Sequence, residues 1–304
     1  MNAPHLEPPM QTTPNPSPFL YANFATQPEI DQQYNPSLGL PDATAPGRHY
    51  AELSTQARSR LPQHLDIPFG PTRAETLDIF PATPTGPGGA PVFVFIHGGY
   101  WRALSSKDFS GVALGLHARG ITTVVLNYAL CPFVTIDEIV RQVRSAVAWT
   151  VRHIAEFGGD PARIGVGGHS AGGHLTAMCM QTEWARDYGL AQDPITAALM
   201  ISGIYDIAPL RYSYLQPMIQ LDDGCIRRNS PAFSARPCPA PAWITWGGNE
   251  ATEFARQSAV MHAAWGAQGN TSTLSPIDGA DHFSVIHGFE SADSALCNWL
   301  AVTL

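Results

Sequence analysis

Short apolar runs alternating with amphipathic stretches predict an α/β fold, a mainly parallel and doubly wound sheet with flanking helices on both faces. Two observations carry this. Pro91-Val-Phe-Val-Phe-Ile96 is a continuous apolar run bounded by proline and glycine, as suits a strand covered on both sides. From Ile136 onward, Ile139, Val140, Val143, Val147, Val151 and Ile154 recur with helical spacing until Gly158-Gly159-Asp160-Pro161 stops them.

In chain order, residues 1–19 are proline-rich and polar, a loose tail, and 20–304 read as a single domain. From about Tyr34 to Arg60 a short helical pattern (Tyr50, Leu53, Ala57, Leu61) precedes the first strands and is placed to act as an N-terminal lid over a site. Strands are expected near 75–80, 91–96, 121–127, 163–167, 197–202, 242–246 and 271–277. Helices are expected near 106–118, 136–157, 171–182, 253–266 and 284–302. Residues 205–241 carry little regular pattern and read as a cap or lid insertion. No internal repeat is present.

Gly168-His169-Ser170-Ala171-Gly172 sits where an apolar strand runs into a helix, the context of a nucleophile elbow. The turn is so sharp that a side chain at either flanking glycine would collide with its neighbours, and the serine hydroxyl is left above the sheet. Upstream, His97-Gly98-Gly99-Tyr100-Trp101 follows the 91–96 run and leaves backbone N–H groups bare. Gly98 or Gly99, with the N–H of Ala171, would form an oxyanion hole. A histidine is then needed in a loop after the last strand, and Asp281-His282-Phe283 fits. His287 is the nearest competitor. His117, His153 and His262 fall within helical patterns, and His174 belongs behind the elbow.

The acid should follow the strand 242–246, in Gly247-Gly248-Asn249-Glu250-Ala251-Thr252-Glu253, where no aspartate occurs. Glu250 lies in the loop. Glu253 has the position of a first-turn helix residue, and Asp206, after Ser202-Gly203-Ile204-Tyr205, is a third option. Tyr100, Trp101 and Tyr205 are candidates to flank an aromatic leaving group, with ordinary packing as the other reading.

Composition narrows the function classes. With 44% apolar and 14% charged residues the chain can bury a large core. The net charge of −8 lacks a basic stripe, which argues against nucleic acid as a partner. Five cysteines show no C-x-x-C spacing and read as free thiols of a reducing compartment. No zinc signature is present, and neither a metal nor another cofactor is expected. The N-terminus lacks a signal-peptide pattern and no run has membrane-spanning length, so a cytoplasmic location is expected. The expected partner is a small-molecule substrate, and a homodimer is left open.

Over about residues 30–300 these motifs resemble the α/β-hydrolase superfamily, and within it the serine-dependent kynurenine formamidases (arylformamidases) beside the hormone-sensitive-lipase-like esterases. The resemblance rests on His97 to Trp101, Asn127-Tyr128, Gly158 to Pro161, the Ser170 pentapeptide, Ser202 to Asp206, Asn229-Ser230-Pro231, Glu253-Phe254 with Arg256-Gln257-Ser258, and Asp281-His282-Phe283. The Tyr-Trp pair and the E-F-x-R-Q-S segment look more like formamidase than general esterase. The resemblance implies a triad of Ser170, Glu250 and His282, with glutamate where animal formamidases use aspartate. It implies cleavage of a small aryl formamide such as N-formylkynurenine through an acyl-enzyme. A carboxylesterase, or an amidase for another aryl amide, carbamate or cyclic imide, is the alternative. A non-catalytic binding protein on the same scaffold is the third reading.

Overall fold

The computed structural model describes residues 19–84, 88–191 and 193–304, so the expected tail at 1–19 lies outside the described residues except for Phe19. Among them, β1 (His64–Pro68), β2 (Thr76–Phe80), β3 (Ala90–Ile96), β4 (Thr122–Leu126), β5 (Gly159–His169), β6 (Ala197–Ile201), β7 (Ala242–Gly247) and β8 (Ser272–Ile277) form one sheet. The order is β1-β2-β4-β3-β5-β6-β7-β8. Only β1–β2 and β2–β4 pair antiparallel; the other pairs are parallel. The helices are α1 (Gln27–Tyr34), α2 (Ala45–Arg60), α3 (Ala113–Ala118), α4 (Ile136–His153), α5 (Ala171–Met180), α6 (Trp184–Tyr188), α7 (Gln216–Ile219), α8 (Asp223–Arg228), α9 (Thr252–Gly266) and α10 (Ala295–Thr303).

Strand β3 shows why the sheet is covered twice. Val92, Val94 and Ile96 join the core cluster that holds Val143 and Val147 of α4, Leu175 of α5 and Phe254 of α9. Phe93 and Phe95 point the other way, into a second cluster with Leu116 of α3 and Leu300 of α10. All five are fully buried, and each contributes roughly 1.5–3 kcal/mol through removal from water. Helix α4 is set by the same logic. Its apolar stripe faces the core, Thr135 Oγ1 accepts from Glu138 N at 3.3 Å, and Asp137 with Glu138 at the start and Arg152 with His153 at the end complement the helix dipole.

The expected strands are present with ends shifted by a few residues, and β1 is additional. Its sequence His-Leu-Asp-Ile-Pro has no apolar run and lies largely exposed at the sheet edge, where a proline is tolerated. The single helix expected over 284–302 is instead a 3₁₀ segment, Ser284–Glu290, followed by α10. Ser294 breaks the run by capping α10, its Oγ accepting from Cys297 N at 3.1 Å. The 106–118 helix likewise begins as two 3₁₀ turns. Between β6 and β7, residues 205–241 form short helical turns on which α1 rests, Tyr214 N donating to Asp31 Oδ1 at 2.8 Å. The cysteines in the structure are buried free thiols. No helix among the described residues is long and apolar enough to cross a membrane.

Candidate active site

The strand order reverses at β3, which β4 and β5 flank on opposite sides, a switch point where ligands collect at the carboxyl ends of the strands. Ser170 follows β5 directly and caps α5 with φ 58° and ψ −118°, a conformation costing roughly 1–3 kcal/mol that the surroundings must enforce. They do so at both ends of the residue: Ser170 N donates to Ile201 O at 2.8 Å, and Ser170 O accepts from His174 N at 3.1 Å. A Cβ on Gly172 would stand 1.9 Å from Ile96 O, and one on Gly168 2.5 Å from the same oxygen. Both elbow glycines are therefore required by close approach.

The loop after β3 lies against the serine. A Cβ on Gly98 would come within 3.2 Å of Ser170 Cβ. Gly99, Tyr100 and Trp101 then take φ of 107°, 50° and 56°, and Gly99 O accepts from both Arg102 N and Ala103 N at 3.1 Å. His97 pins the base of the loop. Its ring stacks on Tyr128 at 4.1 Å, its Nδ1 donates to Gly98 O at 2.8 Å, and burial lowers its pKa to about 4, so it stays neutral. Ala171 is the first residue of α5, where backbone N–H groups have no partner within the helix.

His282, five residues past the end of β8, points Nδ1 at Glu250 Oε2, 2.6 Å away. The other carboxylate oxygen accepts from Gly247 N at 2.6 Å and from the Ser202 hydroxyl at 2.5 Å. Glu250 is fully enclosed. The His282 loop is tied down by Asp281, whose carboxylate accepts from Phe283 N, Ser284 N and Ser284 Oγ at 2.7–2.9 Å. Glu253 is occupied elsewhere: it accepts from Tyr34 OH at 2.5 Å and from Arg256 at 2.7 and 2.8 Å. Asp206 receives Ala208 N and, at 3.4 Å, Tyr21 OH. Of the three acids considered from the sequence, Glu250 is the one that meets His282.

Ser170 and His282 line one cavity of about 280 Å³ together with Gly98, Gly99 and Tyr100. Further walls include Asn35 to Ser37, Tyr50, Arg102, Phe109 and Tyr214, so the segment between α1 and α2 lines the mouth. Tyr50 OH donates to Phe283 O at 2.8 Å, and Tyr100 OH donates to Tyr34 O. His169 also lines this cavity, with its ring 4.6 Å from that of His282. Burial, and then the proximity of His282, push its pKa well below the ordinary histidine value.

Two residues expected beside a leaving group stand elsewhere. Trp101 is fully buried, edge-on to His174 at 5.0 Å, and Tyr205 is fully buried with its backbone N–H on Gln257 Oε1. Neither lines the cavity; the left-handed turn at Trp101 sends that side chain under the loop. Ser202 as a second partner of the acid, and Tyr50, Arg102, Phe109 and Tyr214 as wall residues, were not assigned from the sequence. His174 packs behind the elbow as read, its Nε2 donating to Asn229 O at 2.7 Å. Among the described residues one cluster has metal-ligand chemistry, His49, His287 and Glu290, and it contains no member of the Ser170 site.

Comparison with known proteins places this geometry in context. The BD-FAE family model matches residues 77–208. A kynurenine formamidase of Danio rerio is 29% identical over 271 residues, covering 85% of this chain and 89% of that protein. The esterase LipQ of Mycobacterium tuberculosis is 32% identical over 179 residues, 56% of this chain and 40% of the esterase. Among solved structures, a candidate thioesterase from Silicibacter sp. TM1040 superposes with a TM-score of 0.77 at 26% identity, covering 90% of this chain and 98% of that one.

Proposed function

From its α/β-hydrolase fold and its similarity to kynurenine formamidases and to esterases, we propose that the chain is a serine hydrolase cleaving small aryl formamides through an acyl-enzyme. The observation that carries the reading is the His282–Glu250 contact at 2.6 Å on the wall that also holds Ser170. With Nδ1 committed to the carboxylate, Nε2 is the nitrogen left for the serine. Glu250 keeps the imidazole in that tautomer and stabilises the cation that forms.

The steps follow from those roles. Ser170 Oγ attacks the formyl carbon while its proton passes to His282 Nε2. The carbonyl oxygen becomes an oxyanion held by the N–H of Ala171 and that of Gly98 or Gly99, each such donor being worth about 100- to 1000-fold in rate. The C–N bond then breaks, and the departing arylamine takes the proton from His282. Water, deprotonated by the same imidazole, attacks the formyl ester; formate leaves and Ser170 regains its proton. No step calls for a metal or organic cofactor.

The likeness to LipQ favours a second reading, a carboxylesterase using the same machinery. Acyl size separates the two. Tyr100, a bulky side chain on the oxyanion loop, lines the cavity with Ser170, and a narrow acyl side is expected from it. Among formyl, acetyl and butyryl derivatives of one aniline, formyl is expected to have the highest kcat/KM, exceeding butyryl by about 10-fold or more. A butyryl optimum overturns the formamidase reading in favour of the esterase. Turnover of only a cyclic imide or a carbamate moves the substrate to that class.

A further inference from the structure

We propose that His49, His287 and Glu290 form a zinc site that clamps helix α2, which supplies Tyr50 to the active-site cavity, to the segment following His282. The proposal goes beyond the hydrolase reading and does not depend on it, because none of the three residues lines the Ser170 cavity and the ion takes no part in the chemistry. Local structure brings two of the ligands together. His287 and Glu290 stand three residues apart in the 3₁₀ segment Ser284–Glu290, and in a 3₁₀ turn side chains at that spacing eclipse one another. His49 comes to them from α2, distant in sequence.

One ligand atom of each residue lies within 4.8 Å of the other two. His49 Nε2 is 2.7 Å from Glu290 Oε1, and His287 Nδ1 is 3.8 Å from the same oxygen. Tetrahedral zinc, at about 2.0–2.2 Å from nitrogen and oxygen, sets its ligands roughly 3.4 Å apart, between the two observed separations. Small side-chain rotations therefore complete the tripod. A hydrogen bond between His49 and Glu290 accounts for one imidazole only. The His287 ring makes no hydrogen bond among the described residues, its Nε2 is buried without a partner, and it stands 4.3 Å from the His49 ring with the planes 42° apart. Two imidazoles and a carboxylate are a set that zinc takes at sites with three protein ligands and an open fourth position. The three side chains are 32–38% exposed, and His49 and His287 line an open cavity of about 510 Å³, which gives the ion its entry and a fourth, water ligand its place.

The placement ties the ion to the wall of the active site. Tyr50, next to His49, lines the cavity over Ser170 and donates to the carbonyl of Phe283, next to His282. The Tyr50 ring also meets the His287 ring edge-on at 6.4 Å. A ligand that takes donors from two segments binds only while they are together, so zinc shifts the population toward the arrangement with α2 docked. It acts as a clamp on that wall.

The test titrates Zn²⁺ by calorimetry into the metal-free full-length protein and into His49→Gln, His287→Gln and Glu290→Gln. His153→Gln is the control, since His153 pairs with Glu156 alone, at 2.9 Å. One zinc per chain is expected, with each of the three variants weakening it by about 100-fold, at or beyond the top of the 10- to 100-fold range typical of outer-shell partners. His153→Gln should leave it unchanged. Amide hydrogen exchange of the wild type should slow across α2 at saturating zinc and recover with EDTA. Anomalous scattering at the zinc edge from a soaked wild-type crystal locates the ion without any variant, so a folding defect in a mutant cannot decide the matter. No binding at millimolar zinc, affinity that survives in His49→Gln and His287→Gln, or an ion located elsewhere overturns the site. Zinc bound there with exchange across α2 unchanged overturns the clamp. Neither result bears on the serine mechanism, which labelling of Ser170 reads separately.

Discussion

The back of the site, Gly98, Ser170 and His282 on the cavity wall with His97 and Glu250 behind them, is built from residues standing one to five positions past a strand end, whereas the front comes from segments that never enter the sheet. The back is fixed by main-chain contacts: Gly98 lies against Ser170, Gly247 N holds Glu250, and Ser170 N is bonded to β6. The front is fixed by side chains of distant sequence, with Tyr50 reaching Phe283 O and Tyr214 lying beside Arg102. On the proposed mechanism the chemistry rests on this backbone geometry and substrate choice on the side-chain packing in front of it.

Glu250 and Glu253 test this division within three residues of each other. Glu250→Gln should lower kcat by about 10³- to 10⁴-fold, because the amide cannot hold His282 in its working tautomer. Glu253→Gln should leave kcat within a few-fold and instead cost about 1.5–3 kcal/mol of stability, since it weakens the charge-assisted bond from Tyr34 that ties α1 to α9 and the pair with Arg256 within α9. Steady-state kinetics and urea midpoints on both variants check the pair. The reverse ranking would move the acid to Glu253 and erase the distinction.

That division also explains what could be read from the chain. The glycines around Ser170, the H-G-G loop and the order serine, acid, histidine are local signals, and the residues they name are the ones the fold assembles. The covered strands were legible for the same reason, since burial on both faces writes an apolar run. Edge strand β1, with its exposed pattern, wrote none. For Trp101 the sequence leaves pocket and packing open, since adjacency to the oxyanion loop suggests the first, and the structure decides for packing, with a positive φ burying the ring beside His174. Tyr50 and Tyr214 belong to irregular segments with no motif at all.

A smaller effect probes the rigidity of the back wall. His97 and His174 have folded pKa values lowered to about 4, His97 by burial foremost and His174 likewise, against about 6.5 when unfolded. Below pH 6.5 the unfolded chain therefore binds protons that the folded chain refuses. Their contribution to stability is complete above that pH and is lost as pH falls toward 4, by about 1 kcal/mol per unit for each histidine. Urea unfolding at pH 7, 6 and 5 should show the decline, and His174→Gln should flatten it. An unchanged slope in that variant would place the pH sensitivity elsewhere.

The most direct measurement is labelling with a fluorophosphonate followed by intact-mass analysis and peptide mapping. The expected result is one adduct per chain, on Ser170, absent from Ser170→Ala and formed far more slowly by Glu250→Gln. No adduct on a folded wild-type protein, or an adduct on another residue with hydrolysis retained in Ser170→Ala, would contradict the serine mechanism.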